Sequence, residues 1–400
     1  MKRYRTRLTA GDARFIMIRG LSVTLALGFA LLYSKQLGVE RRGLLTLVMT
    51  TNLVFSIILI SGISLHLRNL TSLIVNKIFV GNYLATIFLF SLFTPLLNMG
   101  VLSIYQNIFD INLSENLIYA TIIYCFFSTF NFGMHDALLL VKQVKLVAFM
   151  DISVIVLQIL AYWMLVSVGE TSYFVSVLIS TSLSYLVMVF ASLMLIVYIY
   201  NPRIKISFSA LIKLFSDSST PLLTTVTTQL LDRIDKLFIG FLLTSGDLGR
   251  FSTSQSILGL SRFVPDSLAK LSMVRDKNVV FSKKALKLLL LFSIPGSIIL
   301  AWIVTMLLRA ILGKEWVLPL SILTGLAFIE IVRGVHTLIA MNAVRSFDYK
   351  TLRSISIFQL TLGLLIQPMA IYLTGLWGAL LSAFIVFIFG VISMRRYAYV

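Results

Sequence analysis

Charge is what this sequence has least of. Only 12% of its 400 residues are Asp, Glu, Lys or Arg, and 58% are hydrophobic. Soluble domains carry roughly 25% charged residues, so a chain this long with so few cannot cover itself in water. The single cysteine, Cys125, excludes an intrachain disulfide. The three histidines, His66, His135 and His336, lie far apart and mostly beside expected loops, so no Cys/His metal set and no cofactor site is expected. No small-residue cleavage site follows the basic start MKRYRTRLTAGDAR. Residues 1–14 therefore read as a retained cytoplasmic tail, not a signal peptide. Long loops are missing too. The longest, around 198–216 and 273–285, are too short for a soluble domain of roughly 50 residues or more.

What the sequence holds instead is apolar runs of the length a helix needs to cross roughly 30 Å of hydrocarbon. They fall at 15–36, 43–65, 78–104, 117–140, 146–168, 173–199, 217–243, 250–272, 286–308, 317–341, 354–373 and 375–394. The expected fold is an all-α polytopic membrane protein of about twelve spans, with both termini on one side. Loop charge says which side. Segments on the N-terminal side carry Lys2, Arg3, Arg5, Arg7 and Arg14, then Arg68, Lys77, Lys142, Lys145, Arg203, Lys205, Lys213, Arg275, Lys277, Lys283, Lys284, Lys287, Arg345, Lys350, Arg353, Arg395 and Arg396. The opposite loops hold Lys35, Arg41, Arg42, Arg250, Arg309 and Lys314, diluted by Glu40, Asp110, Glu115, Glu170, Asp247 and Glu315. Positive loops stay cytoplasmic during insertion. Both termini are therefore expected inside a bacterial inner membrane, and the net charge of +18 is a topology signal that implies no nucleic-acid partner.

The spans divide six and six. An N-terminal bundle is expected over 15–199, a cytoplasmic amphipathic linker over 200–216 and a C-terminal bundle over 217–396. A faint echo supports the division: LLYSKQLGVERRGLLTL (31–47) and FIGFLLTSGDLGRFSTS (238–254) both run from an apolar helix end through a short polar turn with Leu-Gly into a new helix. Repeated bundles are common in secondary transporters, with the site between them.

Ionisable groups inside spans are the informative residues, since each costs about 2.5–3.5 kcal/mol at a helix centre and normally faces a cavity or a partner. They are Arg19, Asp151, Asp232, Arg233, Asp235, Lys236, Arg262, Asp266, Glu330 and Arg333. Arg19, shallow in the first span, can meet an anion in a cavity or snorkel to the interface. Arg262 with Asp266, spaced i,i+4, and Glu330 with Arg333, spaced i,i+3, can neutralise themselves on their own helices. The segment TTVTTQLLDRIDKLFIGFLL (224–243) sets four charges within five residues after a Thr-rich half. Asp232 and Asp235 would share one helical face, and Arg233 and Lys236 the neighbouring one. Trp163, Trp302, Trp316 and Trp377 sit towards span ends, as interface aromatics do.

Three stretches carry a resemblance. LGVERRGLLTLVMTTNLVFSIILISGISLHLRN (37–69), DKLFIGFLLTSGDLGRFSTSQSILGLSRFVPDSLAK (235–270) and GLWGALLSAFIVFIFGVISMRR (375–396) together resemble the polysaccharide-exporting branch of the MATE-like MOP exporter superfamily, the Wzx-type O-antigen and lipid-linked oligosaccharide flippases. The resemblance implies two six-helix bundles forming a V that alternates between inward- and outward-open states. It implies an undecaprenyl-diphosphate-linked glycan as substrate, moved from the cytoplasmic to the periplasmic leaflet. Arg19, Arg233, Lys236, Arg262 and Arg333 would be its cationic binding residues. Asp232, Asp235 and Glu330 would be sites of H+ or Na+ coupling, and polysaccharide polymerase and chain-length proteins would be partners. Arginine's planar fork suits a diphosphate, and the first span carries Arg19 with no acid beyond Asp12 in the tail.

Three other readings stand beside it. A multidrug or organic-cation antiporter of the same fold would need isolated cavity acids. A membrane glycan polymerase or ligase would need a large outer loop, and the longest here is about ten residues; an enzyme is therefore not expected. A non-transporting scaffold would use its buried charges only to hold helices together.

Overall fold

Within hydrocarbon every backbone N–H and C=O has to find its partner inside the same segment, and this chain answers with helices. The computed structural model describes residues 10–70, 77–109, 113–140, 144–169, 172–203, 223, 226–227, 229–263, 265–267, 283–345 and 349–395, and no strand occurs among them. The tail over 1–9 and the linker stretch 204–216 lie outside the described residues.

The helices are α1 (Ala10–Leu70), α2 (Lys77–Phe109), α3 (Glu115–Leu140), α4 (Val144–Val168), α5 (Tyr173–Tyr200), α6 (Ile234–Leu242), α7 (Ser245–Leu258), α8 (Lys283–Ile311), α9 (Leu320–Arg345), α10 (Tyr349–Thr374) and α11 (Leu376–Ser393). Among the described residues nine are long and apolar enough to cross a membrane. The first of these contains two expected spans. At 61 residues α1 is about three times the length one crossing requires, and Gly38, at φ 75° and ψ 170°, breaks it. Glycine alone takes that conformation without strain.

The two spans expected at 217–243 and 250–272 are interrupted. α6 begins only after a turn at Asp232–Arg233, so these charges and Asp235–Lys236 do not form one continuous helical stripe. α7 tightens into a 3-10 turn over Gly259–Arg262, just before Pro265, whose missing N–H cannot serve the carbonyl of Ser261. Thr244 caps α7, its hydroxyl accepting the Asp247 N–H at 3.0 Å and donating to the Asp247 carboxylate at 2.8 Å.

Contacts divide the chain into two compact units. One comprises Leu44–Arg233; the other joins Met1–Gly43 to Ile234–Val400. They are called the N-terminal and C-terminal units below.

In the N-terminal unit α3 packs on α2 and α5, and α4 on α5. Its apolar core includes Ile60, Tyr83, Ile87, Met134, Leu138 and Val189. Through that core runs a neutral polar layer. Thr129 Oγ1 lies 2.8 Å from Ser56 Oγ, 2.9 Å from Thr94 Oγ1 and 3.4 Å from Asn52 Oδ1. Apolar side chains gain little by leaving lipid for a helix interface, so interhelical hydrogen bonds of this kind hold bundles, at about 0.6 kcal/mol on average and 1.7 at most. Thr129→Val keeps the shape and removes the shared hydroxyl. We expect a loss of about 1–2 kcal/mol in unfolding of the detergent-solubilised protein; an unchanged midpoint would show that the layer holds nothing.

In the C-terminal unit α9 is the central helix, packing on α7, the 3-10 turn, α8, α10 and α11. Of its membrane window 72% is buried inside the protein, against 11% for α4. Its polar residues Glu330, Arg333 and His336 are thus removed from lipid.

Three sequence-based placements change. His336 is not beside a loop: it is fully buried within α9, its Nε2 3.1 Å from the Gln359 amide and its ring edge-on to Phe387. Trp316 is buried, unlike the exposed Trp163, Trp302 and Trp377. Arg42 sits on α1 beyond the Gly38 break, buried at 6% exposure and stacked over Tyr33, because its guanidinium gains more from the ring face than from a loop in water.

Candidate functional site

The buried charges of the C-terminal unit converge where its two interrupted helices meet α9. On the chain from α7 onward Gln255, Gly259, Arg262 and Asp266 recur every three to four residues and so share a face. On α9 the facing residues are Glu330, Arg333 and Gly334. A Cβ at Gly334 would lie 3.0 Å from Arg262 Cβ and 3.2 Å from Pro265. Lack of a side chain there lets the 3-10 turn approach α9.

Arg333 is the hub. Its Nη2 donates to Asp235 Oδ2 at 2.6 Å and its Nη1 to Glu330 Oε1 at 2.8 Å. All three side chains are 1% exposed. The Phe387 ring lies 5.1 Å from the guanidinium carbon, adding a cation–π contact in a dry setting. Gln255 ties the acids together, donating from Nε2 to Glu330 Oε1 at 2.9 Å and Asp235 Oδ2 at 3.5 Å. Asp235 Oδ1 also accepts the Lys236 backbone N–H at 2.8 Å, in the first turn of α6, where the helix dipole favours a negative charge. The second Glu330 oxygen, Oε2, accepts no hydrogen bond and faces Arg262 Nε at 3.4 Å. Arg262 Nε in turn lies 3.6 Å from Asp266.

The structure therefore brings Asp235, Glu330, Arg262 and Arg333 into one network, and both local pairs expected from spacing, Arg262–Asp266 and Glu330–Arg333, are present. Arg333 is not presented to open space; it is enclosed and neutralised by two carboxylates. Arg262, by contrast, is 17% exposed. Arg19 arrives from the first span at the same stretch: its Nη1 is 3.5 Å from Ser267 Oγ, and the neighbouring Gly20 backs onto the Phe263 ring. Lys236 is 8% exposed at the start of α6, and Asp232 and Arg233 are half-buried in the turn before it. Asp151 lies in the N-terminal unit, 3.2 Å from His135 Nε2.

Gln255 is the member that sequence reasoning missed. Its signal was its register, seven residues before Arg262 and thus on the same face. Among the described residues no group of His, Cys, Asp and Glu could hold a metal ion.

No protein-family model and no curated protein matches the chain. Solved structures do. The lipid II flippase MurJ, in an inward closed conformation, is similar over 96% of this chain and 87% of its own, at 17% identity and a TM-score of 0.72. The MATE transporter VcmN of Vibrio cholerae is similar over 96% and 95%, at 11% identity and a TM-score of 0.65. The MATE multidrug transporter DinF-BH is similar over 99% and 98%, at 18% identity and a TM-score of 0.58. The chain has the fold these transporters share.

Proposed function

We propose that this protein is a flippase that moves an anionic, lipid-linked oligosaccharide, of the undecaprenyl-diphosphate type, across a bacterial inner membrane by alternating access. The observation that carries this reading is the charge arrangement at the 262–267 segment. Arg19 and the partly exposed Arg262 reach it from two spans, whereas the acids of the network, Asp235, Glu330 and Asp266, each have an arginine at hand. A diphosphate meets arginine forks there with several donors each. The fold, shared with a protein named as a lipid flippase, supports the same reading.

The likeness to multidrug transporters keeps an organic-cation antiporter as the second reading. It is disfavoured because Asp235 and Glu330 already have Arg333 as counter-charge and do not stand as isolated acids.

For ion coupling Glu330 is the better placed acid, since its Oε2 takes no hydrogen bond and lies beside the partly exposed Arg262. Asp235 and Asp232 are the alternatives. Moving one charge across 100 mV supplies about 2.3 kcal/mol, enough to bias a two-state cycle. The outer loops leave no room for a catalytic domain, and polysaccharide polymerase or chain-length proteins would act alongside as partners.

The test is a strain lacking the protein, assayed for surface glycan and for build-up of its lipid-linked precursor. Precursor accumulation, reversed by the wild-type chain, is the expected result; normal glycan display would sink the reading. Hydrogen bonds to charged groups are worth about 1.5–3 kcal/mol, so Arg19→Gln, present in the membrane at normal level, is expected to restore export at about a tenth of wild type or less. Full restoration would remove Arg19 from the substrate path.

A further inference from the structure

Three turns meet at one end of the C-terminal unit: that between α6 and α7, the stretch Gly313–Pro319 between α8 and α9, and Gly375 between α10 and α11. Together they line an open cavity of about 580 Å3, within the roughly 300–1,000 Å3 of small-molecule sites. Loop charge assigns this end to the outer side. The cavity draws on the first turns of α7, ahead of Gln255, and uses none of the residues of the charge network.

Beside an aliphatic wall that includes Leu243 and Ile322, its lining carries Trp377, Thr374, Arg250, Lys314, Asp247 and Glu315. Part of it is already fixed. Arg250 Nε donates to the Glu315 backbone carbonyl at 2.8 Å, and its Nη1 lies 3.3 Å from Asp247 Oδ1. This bond ties α7 to the 3-10 turn Lys314–Trp316, 65 residues away in the chain. The wall is therefore organised before any ligand arrives, which lowers the ordering cost of binding. The Lys314 and Glu315 residues are exposed, and Trp377 offers 43% of its surface.

We infer that this cavity binds a short saccharide. A purely anionic ligand would meet Asp247 and Glu315, and a purely cationic one Arg250 and Lys314. A neutral, hydroxyl-rich ligand uses both: its hydroxyls donate to the carboxylates and accept from Arg250, Lys314 and Thr374. The C–H face of a pyranose ring suits the negative face of an indole. The placement rests on the flippase reading, since the glycan part of the substrate emerges on this side. The cavity would hold it there while the lipid part clears the protein.

The experiment uses the full chain in an amine-oxide detergent, which has no sugar headgroup to compete. Saturation-transfer NMR is run with lipid-free probes: N,N′-diacetylchitobiose, di- and trisaccharides of mannose, galactose and rhamnose, and glycerophosphoethanolamine as a free lipid headgroup. At least one saccharide is expected to show saturation of its ring protons. The signal should fall about fivefold or more in Trp377→Leu, as for a central aromatic contact, and likewise in Glu315→Gln, an exposed substitution that folding tolerates. No saccharide signal, a signal unchanged in both variants, or binding of glycerophosphoethanolamine alone each overturns the proposal. Its failure is separable from that of the flippase reading. Precursor build-up in the deletion strain without saccharide binding removes only the cavity; saccharide binding with normal glycan display removes only the flippase.

Discussion

Arg333→Met will destabilise the C-terminal unit by about 3–5 kcal/mol, the cost of breaking a buried ion pair by removing one partner. The side chain that replaces the guanidinium is apolar and of similar length, so packing against Phe387 is largely kept and the loss is electrostatic. Asp235 and Glu330, each 1% exposed, would be left with Gln255 as a shared donor and Arg262 on the far oxygen of Glu330. Two buried carboxylates that lose their shared guanidinium keep only weaker or more distant partners, and that loss of compensation is the source of the penalty.

The same variant supplies its own control. Replacing all three charges at once, as Asp235→Asn, Glu330→Gln and Arg333→Met together, removes the uncompensated charge. Because exchanging a whole buried ion network for neutral groups is often neutral or stabilising, the triple variant should regain most of the loss. Arg333→Lys should fall between, since one ammonium cannot reach both acids as a planar fork does. The measurement is denaturant or thermal unfolding in detergent. If the single variant unfolds with the wild type, or the triple variant is no better than the single, Arg333 is not the counter-charge the geometry makes it. Export reports separately: a triple variant that folds but no longer transports places ionisation of this network in the cycle.

How much of this was legible follows from the range of each interaction. The spans and their charge bias are local, and so were Arg262–Asp266 and Glu330–Arg333, whose spacing alone puts them in reach. The bond between Arg333 and Asp235 crosses 98 residues. Nothing in either segment says that α6 and α9 touch, so Arg333 read as a cation open to a cavity. Arg42 misled for the opposite reason. It stands in a polar run that looks like a loop, yet the helix resumes after Gly38 and carries it onto Tyr33. Interrupted helices were hidden because 217–243 and 250–272 average as apolar. Their breaks, a backbone turn at 232–233 and the 3-10 turn at 259–262 ahead of Pro265, are features that hydropathy does not weigh.

The echo between residues 31–47 and 238–254 gains a physical meaning at Gly43 and Gly249, where the second largest effect is expected. Within the C-terminal unit the turn that follows Gly38 lies against the first turn of α7. A Cβ on Gly43 would come within 1.7 Å of the Ser245 carbonyl oxygen, and one on Gly249 within 2.1 Å of the Val39 carbonyl oxygen. The obstructing atoms are backbone, so no rotamer change can relieve them, and the two segments must part. Such approach of backbones through small residues is how helices pack where lipid gives no hydrophobic drive. Helix propensity argues the other way, since alanine is favoured over glycine by about 0.8–1.0 kcal/mol inside a helix. Gly246, one turn earlier on α7, separates the two effects: its Cβ would meet Thr244 Oγ1 at 3.6 Å and Val39 Cγ1 at 3.7 Å, ordinary contacts. Gly246→Ala is therefore expected to leave stability unchanged or slightly raised. Gly249→Ala should lower it by about 1–3 kcal/mol, the usual cost of overpacking, and Gly249→Val by more. The comparison is made on unfolding midpoints in one detergent, with export measured alongside. If the two alanine variants behave alike, the contact between the echoed turns is not close enough to matter, and the repeat is a resemblance of sequence only.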